Sequence, residues 1–423
     1  MTAPVQFAAR SRSALRRLAN LATGPTTLRL VALAGALGWL IAFPAFVISQ
    51  TEMLSRTGQP FGGDFVAFYT AGRMICAGQG ESLYNLAAQR DWQASIVGGN
   101  YSDLQAYVNP PGLAMLFAPI ALLPYRLAYV VTTLVLLSAL IGGLCLLLRT
   151  TPALRPYVGV VIGLVWLFYP ISRTVTGGQN TALTLLLLAW AYVALRGGRD
   201  ALAGLALGFL TFKPHFVAIV AFLLLIRGRF LALAVIAGCA ATHYALGALV
   251  CGPTWPTYML GMLRDFWVLE DAGNGQNSIS LIGYAEHWLG GRAGTLIGAF
   301  AAAAILAAVA WDWRKIRPTD NRFALYWAGA ICAGVIVSPH TLWYDAALVV
   351  PAVILALDYA IRERLKISSA ARLALATVFV LFPLYGPLGR IGFQPASLIP
   401  LLALLWLARL SRQTNGPLRH AGR

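Results

Sequence analysis

The sequence predicts an all-α, polytopic integral membrane protein with about twelve transmembrane helices. Its 423 residues are 59% hydrophobic and only 11% charged, whereas soluble domains carry about 25% charged residues. The apolar residues form long runs, and a helix needs about 20 of them to cross a bilayer. Basic residues recur at every second joint between these runs, a pattern that sets membrane orientation.

The first apolar run, about residues 31–48, follows a basic segment, residues 1–28, that contains no acid. Such a start is also typical of a signal or transit peptide. The run is too long for the apolar part of a signal peptide and lacks a clear cleavage site. We therefore expect an uncleaved first span behind an interfacial, amphipathic helix on the cytoplasmic side.

Twelve further apolar segments follow, at about residues 108–123, 126–148, 156–172, 180–196, 200–213, 214–226, 230–250, 293–311, 323–338, 341–359, 373–388 and 394–409. The segment 108–123 is short and lies between prolines, so we expect it to be re-entrant or only partly immersed. Without it, twelve spans remain. They form a single transmembrane domain, residues 29–410, with helices in its outer loops and a basic cytoplasmic tail, residues 411–423.

The basic residues divide unevenly between the two faces. Alternate joints and both termini hold 23 of the 32 basic residues, which the positive-inside rule assigns to the cytoplasm. The other face carries two long loops, about 51–107 and 252–292, with nine of the fifteen acids. The sequence therefore predicts a multi-pass plasma (inner) membrane protein with both termini cytoplasmic. In this setting the net charge of +17 indicates contact with membrane lipids and not with nucleic acid.

Each outward joint carries polar residues that a plain connector does not need. Because ionisable groups at membrane depth are costly unless they face a cavity or a partner, they form a candidate site. Asp64 either caps the apolar helix after it or acts chemically; Lys213 is either a snorkelling anchor or a ligand. The histidines and amides also have structural interpretations, as helix-end or capping residues. The candidates are Asp64, Tyr69, Arg73, Tyr84, Asn109, Gln179, Asn180, Lys213, His215, Asn277, His340, Tyr344, Asp345 and Arg390.

A single carboxylate beside cations suits proton abstraction next to a departing anion. The sequence has no Ser-His-Asp grouping, Walker loop or HExxH motif, and its five cysteines lack metal-site spacing, so we expect no cofactor and no metal. Without a nucleotide site, an activated group has to arrive in another form. Lipid-phosphate sugars are such donors, with Lys213, His215, His340 and Arg390 as candidate phosphate ligands.

An ordered set of motifs runs through the chain: Gly63-Asp64-Phe65-Val66-Ala67-Phe68-Tyr69, Tyr84, Asn109-Pro110-Pro111, Pro119 to Pro124, Gly178-Gln179-x-Thr181, Lys213-Pro214, and Ser338-Pro339-His340 with Tyr344-Asp345. Over about residues 29–410 this set resembles glycosyltransferase family 87, of the GT-C superfamily. That family contains polyprenyl-phosphate-sugar-dependent mannosyl- and arabinosyltransferases. The resemblance implies a GT-C-like fold, Asp64 as catalytic base, and Lys213 and His340 near the donor phosphate.

The resemblance thus predicts an inverting transfer of a sugar, with mannose the expected one, from a polyprenyl phosphate to a lipid or glycan acceptor. The other sequence-based hypothesis is a multi-pass transporter or lipid flippase whose intramembrane Lys213 and His215 bind an anionic, lipid-linked cargo. Against it, the sequence shows no convincing internal repeat of the kind that many transporters have.

Overall fold

The computed structural model describes residues 17–18, 20, 24–50, 52–55, 58–98, 101, 103–380, 388, 396 and 398–414. Over these residues the chain folds into eighteen α-helices without a β-strand, apart from two isolated β-bridges. The predicted all-α class is confirmed. Arg390 and most of the two predicted basic termini lie outside the described residues.

The helices are, in chain order, α1 (Pro25–Ser49), α2 (Phe65–Cys76), α3 (Leu86–Val97), α4 (Pro111–Ala121), α5 (Tyr125–Leu148), α6 (Val158–Leu167), α7 (Tyr169–Thr176), α8 (Thr181–Arg196), α9 (Asp200–Phe209), α10 (Pro214–Ile226), α11 (Phe230–Cys251), α12 (Trp255–Asn274), α13 (Leu281–Leu289), α14 (Gly291–Trp313), α15 (Phe323–Val337), α16 (Val349–Arg362), α17 (Ser369–Val380) and α18 (Leu398–Thr414). A 3₁₀ helix, Trp343–Leu348, leads into α16. Helices α2, α3, α12 and α13 occupy the two long loops, as predicted.

Five stretches of the described chain are long and apolar enough to cross a membrane: α1, α5, α11, α14 and the continuous run Trp343–Arg362. Helices α6 and α7 together make a sixth if a bent pair is one span. Several other apolar helices are only 10–17 residues long. The integral membrane class is confirmed, and the count of twelve spans stays a prediction.

Two breaks in the helices lie beside prolines. The segment 156–172 is not one straight helix, because α6 and α7 meet at 74° beside Phe168, two residues before Pro170. Lys213 lies in a non-helical conformation directly before Pro214. Proline disfavours a helical conformation at the residue before it and removes a backbone donor. Both breaks lie at the edge of the candidate site.

Helix α4 is the structured part of the segment predicted to be short. Its eleven residues rise only about 16 Å, about half of the hydrocarbon thickness. It packs tightly against α2, since a Cβ at Gly72 would lie 2.9 Å from the backbone of Phe117. Its length agrees with the prediction that this segment does not cross the membrane alone.

The arginine-rich joints contact one another at one end of the helical bundle. Arg196, at the end of α8, donates hydrogen bonds to the carbonyls of Pro318 at 3.0 Å and Asp320 at 2.6 Å. Arg227, directly after α10, donates to the carbonyl of Arg314 at 2.7 Å. Helices α8 and α10 therefore begin at the end that carries the candidate site and finish at the arginine-rich end.

Candidate active site

Three of the described candidate residues lie where helices begin. Asp64 directly precedes α2, Asn180 precedes α8 and Lys213 precedes α10. A helix start carries unpaired N–H groups and the positive end of the helix dipole, which together favour an anion. The common location of these three starts makes this end of the bundle suitable for an anionic substrate.

Asp64 is not a helix cap, because its side chain accepts no hydrogen bond from the start of α2. Its carboxylate instead accepts a hydrogen bond from the side-chain amide of Gln179, 115 residues away in sequence. Burial raises the pKa of Asp64, while the Arg173 guanidinium and the Gln179 hydrogen bond oppose the rise. The capping interpretation is excluded, and Asp64 remains a half-buried carboxylate held by an amide.

Two glycines allow the loops of Asp64 and Gln179 to approach each other. Gly63 has φ +59 and Gly178 has φ +71, a left-handed conformation that L side chains rarely adopt. A Cβ at Gly178 would lie 2.6 Å from Cβ of Phe65. The Gly-Asp and Gly-Gln motifs thus form one joint turn structure that sets the position of the carboxylate.

Lys213 forms a buried ion pair with Asp345. Its Nζ lies 2.8 Å from Asp345 Oδ1, and the two side chains are only 10% and 6% exposed. Thr181 bridges them, accepting a hydrogen bond from Lys213 at 3.2 Å and donating one to Asp345 at 2.8 Å. Lys213 therefore does not snorkel to the surface, and Asp345 neutralises its charge.

The two histidines lie close to this ion pair. His215 and His340 interact electrostatically with Lys213, Asp345 and each other. His340 is half-buried, 5.6 Å from the ring of Trp267, and burial lowers its pKa. Burial therefore favours the neutral imidazole.

Asn277 reaches the same region through the second long loop. Two residues after Asn277, Ile279 donates its backbone N–H to the carbonyl of Thr341 at 3.0 Å. The hydroxyl of Ser280 donates to the carbonyl of Pro339 at 3.2 Å. These contacts join the loop to the segment that carries His340. Asn277 is half-buried at this joint.

Tyr69 and Arg73 hold α2 against the end of α4. The Tyr69 hydroxyl donates to the carbonyl of Leu123 at 2.8 Å, and Arg73 donates weakly to that of Ala121 at 3.5 Å. The Tyr69 hydroxyl thus already donates its proton to the backbone. Arg73 is half-buried and has further donors to offer.

Tyr84, Asn109 and Asn180 connect the first loop to α8. The Tyr84 hydroxyl donates to the Asn109 carbonyl at 3.0 Å, and the Asn180 amide lies 3.5 Å from the Asn109 side-chain oxygen. In the segment that carries Asp345, the backbone oxygen of Tyr344 accepts a hydrogen bond from the Thr174 hydroxyl at 3.4 Å. These residues join the segments around the site to one another.

Arg173 is the residue that sequence reasoning missed. It lies in the last turn of α7, near enough to Asp64 to lower its pKa. One of its nitrogens lies 3.0 Å from the point where a Cβ on Gly63 would sit. The only sequence signal for Arg173 was its position just before the Gly177-Gly178 motif. Because it also lies at the end of an apolar segment, it resembles a membrane anchor.

The charged residues form two groups. The first is Asp64 with Arg173 and the more distant, exposed Asp103, and the second is the Lys213–Asp345 pair with the two histidines. The segment 179–181 links them, because Gln179 bonds the first group and Thr181 the second. Within the described residues, no cluster of three or more His, Cys, Asp or Glu side chains could hold a metal ion. Among the described residues the arrangement offers a half-buried carboxylate, a guanidinium without a hydrogen-bond partner, and a polar cluster around a neutral ion pair.

These features define a helical membrane protein with a polar site at one end of its helix bundle. The chain matches the model of glycosyltransferase family 87 over residues 107–339, more than half of its length. It belongs to this family and is therefore a membrane glycosyltransferase. No curated protein and no solved structure matches the chain. The matched range includes Asn109, Gln179 and Lys213, whereas His340 directly follows it and Asp64 lies well before it.

Proposed function

We propose that the protein transfers mannose from a polyprenyl-phosphate donor to a hydroxyl of a lipid or glycan acceptor, with inversion. Glycosyl transfer itself follows from the family. The observation that carries the finer proposal is the half-buried Asp64 carboxylate, which makes no cap and is held by Gln179 beside a cation. A carboxylate held in this way is suited to accept one proton.

In this mechanism Asp64 accepts the proton of the acceptor hydroxyl as its oxygen attacks the anomeric carbon. The bond between that carbon and the phosphate oxygen breaks on the opposite side, so the configuration inverts. The bonding electrons leave with the phosphate, which stays on its polyprenyl chain. Hydrogen-bond donors aimed at this oxygen stabilise the charge that develops on it.

We propose that Lys213, His215 and His340 contact the donor phosphate, together with Arg390, which lies outside the described residues. Lys213 has three N–H donors, of which Asp345 and Thr181 take two. The third is available to a phosphate oxygen. The neutral imidazole of His340 can donate a further hydrogen bond there.

The remaining polar residues are proposed to surround the sugar and the acceptor. They are Tyr69, Arg73, Tyr84, Asn109, Gln179, Asn180, Asn277, Tyr344 and Asp345. The site is proposed to face the periplasm or exterior of a plasma (inner) membrane, with both termini cytoplasmic. The mutual contacts of the arginine-rich joints at the opposite end of the bundle support this orientation.

The test supplies a radiolabelled polyprenyl-phosphate mannose to the purified full chain in detergent, with a membrane lipid extract as acceptor source. Release of free polyprenyl phosphate together with a labelled product supports the proposal. The same donor carrying arabinose or glucose tests the choice of sugar. If the donor only crosses vesicle membranes intact, the transporter hypothesis is favoured instead.

A further inference from the structure

Among the described residues, the group around Lys213 supplies no net positive charge for a leaving phosphate. The ammonium group of Lys213 lies 2.8 Å from the Asp345 carboxylate, and both side chains are buried. This pair has no net charge. Burial also lowers the pKa of the neighbouring His340, which favours its neutral form. The second group of the site therefore offers hydrogen bonds but no excess positive charge.

The Arg173 guanidinium is a cation without such a partner. It is half-buried, and among the described residues it donates no hydrogen bond and forms no ion pair. Arginine carries five N–H donors in a planar fork and stays charged at any ordinary pH. A guanidinium in a partly enclosed position with all its donors unused is suited to bind an anion.

Glycines make room for this guanidinium. A Cβ at Gly63 would lie 3.0 Å from one of its terminal nitrogens, and a Cβ at Gly177 would lie 3.2 Å from the other. Arg173 therefore lies against the two turns that position Asp64 and Gln179. Its charge is close to the carboxylate, yet no ion pair within 4.0 Å forms between them.

We infer that Arg173 is a further catalytic residue, whose guanidinium binds the phosphate of the departing polyprenyl phosphate and adds a positive charge beside it. This inference rests on the proposed function. When the bond from the anomeric carbon to oxygen breaks, the electron pair stays on the phosphate. A singly charged diester becomes a monoester with one more negative charge, and the acceptor proton goes to Asp64.

An in-line displacement requires that Arg173 and Asp64 stay apart, and they form no ion pair within 4.0 Å. The base and the leaving group must lie on opposite sides of the reacting carbon, with the sugar between them. Inverting glycosidases show the scale of this requirement, since their two carboxyl groups lie about 6.5–9.5 Å apart. An ion pair between Arg173 and Asp64 would close the space for the sugar, and none is present among the described residues.

Binding of farnesyl phosphate and of uncharged farnesol to the purified full chain tests this inference without any knowledge of the sugar. Arg173→Gln should weaken farnesyl phosphate binding by about ten- to a hundredfold and leave farnesol binding unchanged. Arg173→Lys should retain part of the affinity, because a lysine keeps the charge and loses the fork. Arg126→Gln is the matched control. Arg126 lies at the start of α5, at the same end of the helix bundle, but its guanidinium already donates to the Gln50 carbonyl.

Three outcomes overturn the inference. The first is wild-type affinity of Arg173→Gln for farnesyl phosphate, and the second is an equal loss in Arg126→Gln. If Arg173→Gln does not fold, the same test is made with Arg173→Lys. The third outcome is that Arg173→Lys prefers farnesyl phosphate over farnesol as strongly as the wild type does.

The same measurement in an Asp64→Asn background separates this inference from the proposed function. If Arg173 served only to keep Asp64 ionised, the Arg173→Gln effect on phosphate binding would vanish in that background. We expect it to persist. An Asp64→Asn protein that remains active would refute the proposed base, while the phosphate-binding role of Arg173 would still stand or fall by the farnesyl phosphate result.

Discussion

The buried Lys213–Asp345 pair gives the sharpest quantitative prediction. The perturbation is a double-mutant cycle of Lys213→Met, Asp345→Asn and the two together. Each single change leaves one group without its partner 2.8 Å away, in surroundings where the side chains are only 10% and 6% exposed. Removing one member of a buried ion pair typically costs about 3–5 kcal/mol.

The double variant removes both charges and leaves only neutral side chains near Thr181. Replacing a whole buried pair is often close to neutral, so we expect the double variant to recover most of the stability that either single variant loses. The coupling free energy should then be about 3 kcal/mol or more. The assay is the free energy of unfolding of each purified variant in the same detergent.

A second ion pair serves as the control. Arg229 lies 3.1 Å from Asp200, with side chains 27% and 17% exposed, and it belongs to the arginine-rich end of the bundle. Its greater contact with solvent should keep its coupling near or below about 1 kcal/mol. Additive effects of Lys213→Met and Asp345→Asn, or equal coupling in both pairs, would refute the reasoning.

Three further predictions concern the site. Gln179→Leu should move the acidic limb of the pH profile of kcat/KM to higher pH, because its hydrogen bond lowers the pKa of Asp64; an unmoved limb contradicts this. Lys213→Gln and His340→Ala should each raise the donor concentration needed for half-saturation by about tenfold or more, and Lys213→Arg by less; unchanged donor dependence removes both residues from the phosphate site. Gly178→Ala should cost about 1–3 kcal/mol more in unfolding free energy than Gly198→Ala, since both have positive φ but only Gly178 would meet Phe65; equal costs would show that contact to be unimportant.

Long apolar runs made much of the fold predictable. Helices α5, α11 and α14 lie where uninterrupted apolar segments predict them, because a membrane span requires a continuous apolar helix. The bend beside Phe168 was not predicted, although Pro170 was the available signal. A proline inside an apolar run can either bend a helix or end it, and packing of the neighbouring helices decides between the two.

The sequence identifies candidate site residues but not the partners that the structure gives them. Asp64, Gln179 and Lys213 were identified as polar residues in apolar surroundings. That Gln179 bonds Asp64 and that Asp345 neutralises Lys213 depends on contacts across 115 and 132 residues, which no local pattern encodes. Arg173 was missed because one arginine at the end of an apolar segment resembles an ordinary membrane anchor.

The role of Asp64 is tested most directly by the transfer rate of Asp64→Asn. The amide keeps the size of the side chain but accepts no proton, so turnover of labelled polyprenyl-phosphate mannose should fall by about 10²- to 10⁴-fold. Binding of farnesyl phosphate and the free energy of unfolding should stay near wild type. Near-wild-type release of polyprenyl phosphate by a folded Asp64→Asn protein would contradict the account and require another base.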